Sequence, residues 1–260
     1  MPPSTGPTRE RSRLTSMASQ RLDRELVVRG LARSRAQAQH MIADGQVVLD
    51  GAIVRRPAEP VSPTARIEAP SNPYVSRAAD KLLGALDHLG LTVAGRALDA
   101  GASTGGFTQV LLERGCEQVT AVDVGTDQLV PLLRDDPRVT VWEQTNLREL
   151  TLDHVDHRPV DLVVADVSFI SLTLLIGPLT SVTAAGGRLL LLVKPQFEVG
   201  RERLAKGGVV RSAELQQEAV RGVTEAAERH RWPTAAVAPS RLPGTAGNQE
   251  FFVLLDRERG

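Results

Sequence analysis

Residues 97–115, ALDAGASTGGFTQVLLERG, decide how this chain is read. A short apolar stretch breaks into glycines and small polar residues, and an amphipathic helical pattern follows. Such a strand-to-helix loop brings backbone close to a ligand, and the first helical turn offers N–H groups with no partner inside the helix. The same letters hold a second pattern. Gly101-Ala102-Ser103-Thr104-Gly105 spells G-x-S-x-G, the nucleophile elbow of a hydrolase, with Ser103 as the attacking group.

Working outward, strands and helices alternate. Strands are expected at 97–100, 119–124, 139–143, 160–166 and 188–193, and helices at 106–114, 126–134, 171–179 and 213–229. A helix precedes the loop, with Ser76 as its N-cap and Leu82, Leu83, Leu86 and Leu89 on its buried side. Two more strands close the chain, the last at 251–255. The alternation predicts an α/β, Rossmann-like domain with a mostly parallel sheet, and the closing strand pair suits a methyltransferase-type sheet.

Ligands bind such sheets at the carboxyl ends of the strands, where Asp99, Asp123, Glu143 and Asp166 fall. Asp123, some 22 residues past Gly101, is placed for two ribose hydroxyls, which serves NAD and S-adenosylmethionine (SAM) alike. A dinucleotide loop, however, wants G-x-G-x-x-G, and here the second glycine position is Ser103. A carboxylate at Asp99 repels a pyrophosphate but can hold the amino group of cationic SAM, so SAM is favoured. The candidate cofactor residues are Asp99, Gly101, Ser103, Thr104, Gly105, Gly106, Phe107, Asp123, Val124, Asn146 and Asp166. The elbow reading needs a histidine on a late loop. After Ser103 come only His154, His157 and His230, the last on an exposed-looking helix, and the hydrolase is set aside.

Arginine dominates the cations: of 31 basic residues three are lysines, Lys81, Lys194 and Lys206. Lys194 directly follows an apolar strand and precedes Pro195, a place hard to explain by solubility. It can act on a ribose hydroxyl as a base or as a cation steadying the developing alkoxide, beside Asp166 at the end of the neighbouring strand. Lys81 and Glu250, read singly, are a helix-face lysine and an edge glutamate.

The N-terminal part is organised separately. Residues 1–20 read as a disordered tail, 21–68 as a compact unit, 69–75 as a proline-bearing linker, and 76–260 as the large domain. In the small unit a helix closes near Gly30, and a second begins with Ser34 as N-cap and Gln37 at the third helical position. Asp50-Gly51 marks a hairpin. Residues 1–75 carry 11 basic and 7 acidic side chains, the remainder 20 and 24, which suits a nucleic-acid-binding module joined to a chemical one.

Two resemblances sharpen these readings. The run RLDRELVVRGLARSRAQAQHMIADGQVVLDG resembles the S4 RNA-binding domain, which implies binding of structured RNA through Arg21, Arg33, Ser34 and Arg35, with Gln37 beside them. Lys81, Asp166, Lys194 and Glu250 resemble the K-D-K-E tetrad of FtsJ-like ribose 2′-O-methyltransferases, and DAGASTGGF resembles their cofactor motif, with Thr104 where that motif usually has proline. With ADVSFISL, VKPQFEVG and GNQEFF, the chain from Arg21 to Leu255 is similar to the TlyA (hemolysin A) family. That family implies SAM as cofactor, ribosomal RNA as partner, a cytidine 2′-hydroxyl as target, and the tetrad as catalytic residues.

Other readings stay open. A ribosome-assembly factor with a vestigial cofactor fold would keep the S4 module, and the hemolysin name suggests a membrane-active protein. No run reaches the roughly 18 apolar residues of a spanning helix, and no secretory signal pattern is present, so a cytoplasmic protein without membrane contact is expected. The single Cys116 reads as packing, and no metal site is expected. Residues 199–211, polar and cationic, read as a substrate lid or an ordinary surface loop.

Overall fold

The structure, a computed structural model, describes residues 20–32, 35–69, 74–205 and 207–257. Readings placed on residues 1–19, Arg33, Ser34, Lys206, positions 70–73 of the expected linker and the last three residues, 258–260, lie outside the described residues. The chain divides into two compact units, Met1–Pro73 and Tyr74–Gly260.

The first unit contains β1 (Gln20–Arg21), α1 (Leu22–Val28), α2 (Arg35–Ala43), β2 (Val48–Leu49), β3 (Ala52–Ile53), β4 (Pro60–Val61) and β5 (Ile67–Glu68). β1, which begins on the last residue assigned to the tail, pairs with β4, and β2 lies between β3 and β5. Asp50 and Gly51 both adopt positive φ, 49° and 87°, as a two-residue hairpin turn of matching twist requires. Leu22 and Leu26 of α1 meet Ala38 and Ile42 of α2 in a small core, with Val27 half-buried against it.

The second unit runs α3 (Ala78–Leu89), β6 (Arg96–Ala100), α4 (Gly106–Glu113), β7 (Gln118–Val122), α5 (Pro131–Arg134), β8 (Val139–Trp142) and β9 (Val160–Ala165). It continues through α6 (Ile176–Ser181), β10 (Thr183–Val193), α7 (Pro195–Glu198), α8 (Ala213–Arg229), β11 (Thr234–Pro239) and β12 (Phe251–Asp256). Its seven strands are ordered β11-β12-β10-β9-β6-β7-β8. β8, β7, β6, β9 and β10 are mutually parallel, and β12 runs antiparallel to both β10 and β11. Successive strand residues serve opposite faces. Leu98, Val163, Leu191 and Val253 pack on one side with α6 and α8, while Ala97, Val164, Leu192 and Phe252 pack on the other with α3 and α4.

Three local expectations need correction. The helix expected at 126–134 is confined to Pro131–Arg134, with Val130 extended at ψ 145°. A residue before proline is driven out of the helical region, so the helix can only begin with Pro131. The helix expected at 171–179 splits into a 3-10 turn at Leu172–Leu174 and α6. Starting at Ile176 keeps Pro178 in the first turn, where its missing N–H costs nothing. Ser76 does not cap α3: the N-cap is Arg77, without a side-chain bond. The Ser76 Oγ instead fills the space that a side chain at Gly106 would need, which lets α3 and α4 meet closely.

In the N-terminal unit the fully buried Asp23 ties α1 to α2. It accepts from Arg21 Nε (3.0 Å) and Nη2 (2.9 Å), Arg35 Nε (2.9 Å) and Gln39 Nε2 (2.9 Å). These bonds, Arg21's foremost, hold its carboxyl well below the usual carboxylate range. The stability it contributes is therefore present above about pH 4 and lost as pH falls. Asp23→Ala is expected to destabilise this unit by about 1–3 kcal/mol at neutral pH. Hydrogen exchange of α1 and α2 amides checks this, and the gap from wild type should narrow on acidification.

Candidate active site

A cavity of about 560 Å³ opens at the carboxyl edge of the sheet, floored by Gly101, Ala102, Ser103 and Thr104. It lies where the chain leaves β6 towards β7 on one side while β9 flanks β6 on the other, the reversal point at which open α/β sheets bind ligands. Gly101 is required there. Its φ is +88°, and a Cβ would stand 2.8 Å from the Asp166 carbonyl oxygen. The loop is anchored by Gly101 N donating to Val122 O at 2.8 Å.

Lys81, Asp166, Lys194 and Glu250 all line this cavity. They arrive from different elements: Lys81 from α3, Asp166 and Lys194 just past β9 and β10, and Glu250 just before β12. Because β12 is antiparallel, its beginning lies where its neighbours end, with Phe251 opposite Val193. Lys81 Nζ donates to Glu250 Oε2 at 2.6 Å, and both groups are buried, Glu250 to 2% exposure. Gly244 leaves room for this glutamate, since a Cβ there would collide with Glu250 Oε1. Lys194 Nζ lies 2.7 Å from Asp166 Oδ1, a close ion pair outside hydrogen-bond alignment, and donates its hydrogen bond to Ser168 Oγ at 2.9 Å.

The candidate cofactor residues divide into two groups. Gly101, Ser103, Thr104, Gly106, Phe107 and Asp166 face the cavity; Asp99, Gly105, Asp123, Val124 and Asn146 are outside its lining. Asp99 is fully buried behind the loop, where one oxygen accepts from Thr108 Oγ1 at 2.7 Å and Oδ1 makes no hydrogen bond within the distance and angle of a normal one among the described residues. Burial pushes its carboxyl up to about 7, against the Thr108 hydrogen bond. Asp123, half-buried at the end of β7, accepts from Ser103 N (2.8 Å) and Gly125 N (2.7 Å) and so shapes the loop. Val124 is exposed, and Asn146 caps the turn at Leu147–Glu149.

The structure disposes of the hydrolase elbow. Ser103 Oγ donates to Gln128 Oε1 at 3.1 Å. His154 is engaged by Thr151, His157 pairs with Asp153, and the His230 ring packs over Gly177. In the N-terminal unit Arg21 and Arg35 turn part of each guanidinium onto Asp23, and Gln37 is half-buried on α2.

Several lining residues escaped the sequence reading. Phe169, at φ +66° and 88% exposed, stands 5.2 Å from the ring of Phe197, and both rings line the cavity. A phenylalanine in a sequence reads as core, and only the tertiary structure shows this one exposed at the cavity with positive φ. Asn248, buried in the segment GNQEFF, accepts from Val210 N (2.8 Å) and donates to Gly208 O (3.0 Å). It thereby ties the loop read as lid or surface loop to the cavity wall.

Family models match both units, the S4 domain over residues 20–67 and the FtsJ-like methyltransferase over residues 74–257. The chain belongs to the FtsJ-like methyltransferase family. It is 48% identical over 239 residues to the 16S/23S rRNA (cytidine-2′-O)-methyltransferase TlyA of Mycobacterium tuberculosis, covering 90% of this chain and 89% of that one. Hemolysin A of Brachyspira hyodysenteriae is 35% identical across 89% of this chain and 98% of its own. A solved structure from Streptococcus thermophilus, described as a candidate hemolysin, superposes with a TM-score of 0.73 at 36% identity, over 93% of this chain and 89% of that one. These matches span both units, as the TlyA resemblance implied. Among the described residues no helix is long and apolar enough to cross a membrane.

Asp99 generates a pH prediction. Its folded-state value lies near 7, above the ordinary 3.8, so its contribution to stability is full below 3.8 and lost as pH rises through about 7. The ligand-free protein is expected to unfold more easily at pH 8 than at pH 5, and Asp99→Asn should flatten that slope in thermal melts.

Proposed function

We propose that this methyltransferase transfers the methyl group of SAM to the 2′-hydroxyl of a cytidine ribose in ribosomal RNA, with the S4 unit docking on the RNA. The observation that carries the reading is the convergence of Lys81, Asp166, Lys194 and Glu250 on one cavity, in a chain matched across both units by an rRNA cytidine-2′-O-methyltransferase. A ribosomal substrate implies a cytoplasmic protein.

The residues present fit SAM. Asp99 Oδ1 is a buried acceptor beside the glycine loop, without a hydrogen-bond partner among the described residues, and suits a cationic ligand's amino group directly or through water. The loop floor is main chain and small side chains, so a ligand can approach the backbone. Asp123 stands at the neighbouring strand end with carboxylate oxygens able to accept from ribose hydroxyls. SAM, when bound, would supply an electrophilic methyl group whose bond to the sulfonium sulfur breaks as a neutral thioether leaves.

The protein's own groups then do three things. Phe169 and Phe197 offer aromatic faces at the cavity on which an unstacked base can rest. The Lys194 ammonium, oriented by Asp166 at 2.7 Å, can donate to the ribose oxygen as negative charge develops there. The buried Lys81–Glu250 pair, held by a 2.6 Å hydrogen bond, fixes another part of the cavity lining and limits how the hydroxyl can sit.

Lys194→Ala is expected to lower transfer of labelled methyl to ribosomal RNA by about 10²-fold or more, while SAM binding stays within a few-fold of wild type. Wild-type turnover in that variant would sink the role given to Lys194.

A further inference from the structure

The segment after β9 and the segment after β10 are joined by contacts that follow the same order along both. Asp166 meets Lys194 at 2.7 Å, and Ser168 accepts from Lys194 at 2.9 Å. The Phe169 ring then lies 5.2 Å from Phe197, and finally Ser171 Oγ (2.5 Å) and Leu172 N (2.9 Å) both donate to Glu198. The first three contacts belong to groups lining the cavity. Glu198 does not line it, yet it closes the series.

Both segments need such a tie. α7 is a single turn of four residues, too short to hold its position by its own hydrogen bonds. Phe169 carries positive φ and an exposed ring, a conformation that persists only when surrounding contacts enforce it. At the near end the segment is held by the Asp166–Lys194 pair; at the far end Leu172 is anchored in the core by its side chain, and the Glu198 carboxylate fixes its backbone by accepting from Leu172 N. Glu198 is mostly withdrawn from water, and burial pushes its carboxyl above the ordinary glutamate value. A group kept there against that cost has a task beyond solubility.

We propose that Glu198 is a positioning residue for methyl transfer: its two-oxygen clamp on Ser171 and Leu172 holds Ser168 and Phe169 opposite Lys194 and Phe197. The proposal rests on the functional reading above, because the groups it positions are those assigned to the ribose and its base. Glutamine can keep both bonds, its carbonyl accepting from Leu172 N and its amide donating to Ser171 Oγ. That hydroxyl can then donate to Thr173 Oγ1, 2.7 Å away. Aspartate, one methylene shorter, cannot span the same gap.

The test compares full-length Glu198→Ala, Glu198→Asp and Glu198→Gln with wild type, with SAM and ribosomal RNA as substrates. Expected is a fall of about tenfold or more in the single-turnover rate at saturating RNA for the Ala and Asp variants, as for a reacting group displaced by a fraction of an ångström. SAM affinity should stay within about twofold, and Glu198→Gln within about threefold of wild type, the margin of a retained hydrogen bond pair. Hydrogen exchange across residues 166–174 should quicken in Glu198→Ala and return to the wild-type rate in Glu198→Gln. Wild-type turnover in Glu198→Ala, equal losses in the Ala and Gln variants, or unchanged exchange would each overturn the proposal. If wild type itself transfers no methyl group to ribosomal RNA, the functional reading fails, and the exchange data still decide whether the clamp exists.

Discussion

The site depends on the pairing of β12 with β10. Phe252 stands opposite Leu192 and Phe251 opposite Val193, antiparallel, in a sheet whose central strands are parallel. That reversal turns the beginning of β12 towards the edge where β6, β9 and β10 end. Glu250 therefore lines the same cavity as Asp166 and Lys194, although 84 and 56 positions separate it from them in the chain. A parallel last strand would carry Glu250 to the opposite edge, and Lys81 would be left buried without its partner. Such an unpaired buried charge costs several kcal/mol, so the strand reversal and the Lys81–Glu250 pair require each other.

Two buried or half-buried ion pairs and one buried carboxyl stand within a single sheet edge, an expensive arrangement for stability alone. Desolvating both partners of such a pair consumes most of the Coulombic gain, and an apolar pair of like volume would serve the fold as well. The same charges become useful when a ligand enters, because water is excluded and the dipoles are already oriented. Asp99 follows this logic, held beside the loop with one oxygen unpartnered and its carboxyl raised to about 7. The aromatic pair of Phe169 and Phe197 adds an exposed apolar surface beside these charges, a combination that suits a nucleoside better than a small polar metabolite.

Much of the fold was legible because periodicity and breakers are local signals. The strand–loop–helix at residues 97–115, the hairpin at Asp50-Gly51 and α8 at Ala213–Arg229 all stand where pattern alone puts them. Pattern misled where apolar spacing was read without the local veto of a proline. Pro131 and Pro178 moved two helix starts, each by excluding a conformation that apolar spacing allowed. It also misled at Ser76, whose hydroxyl is drawn into the α3–α4 contact instead of capping its own helix.

The candidate site was half legible. Lys194 and Asp166 stand out in one dimension, since each ends an apolar strand at the edge where ligands bind. Lys81 and Glu250 do not, and a family resemblance supplied them. Phe169, Ser168, Glu198 and Asn248 carried no separable signal, for an exposed aromatic ring or a buried clamp is defined by neighbours far away in the chain. By itself the sequence determined the alternation of elements, the glycine loop and the class of chemistry, because these follow from backbone freedom, hydrophobic period and charge at strand ends. Only the tertiary structure decided which charges pair and which serine, phenylalanine and glutamate join them, because those choices depend on the direction of β12 and on the register that sets Glu250 beside Lys81.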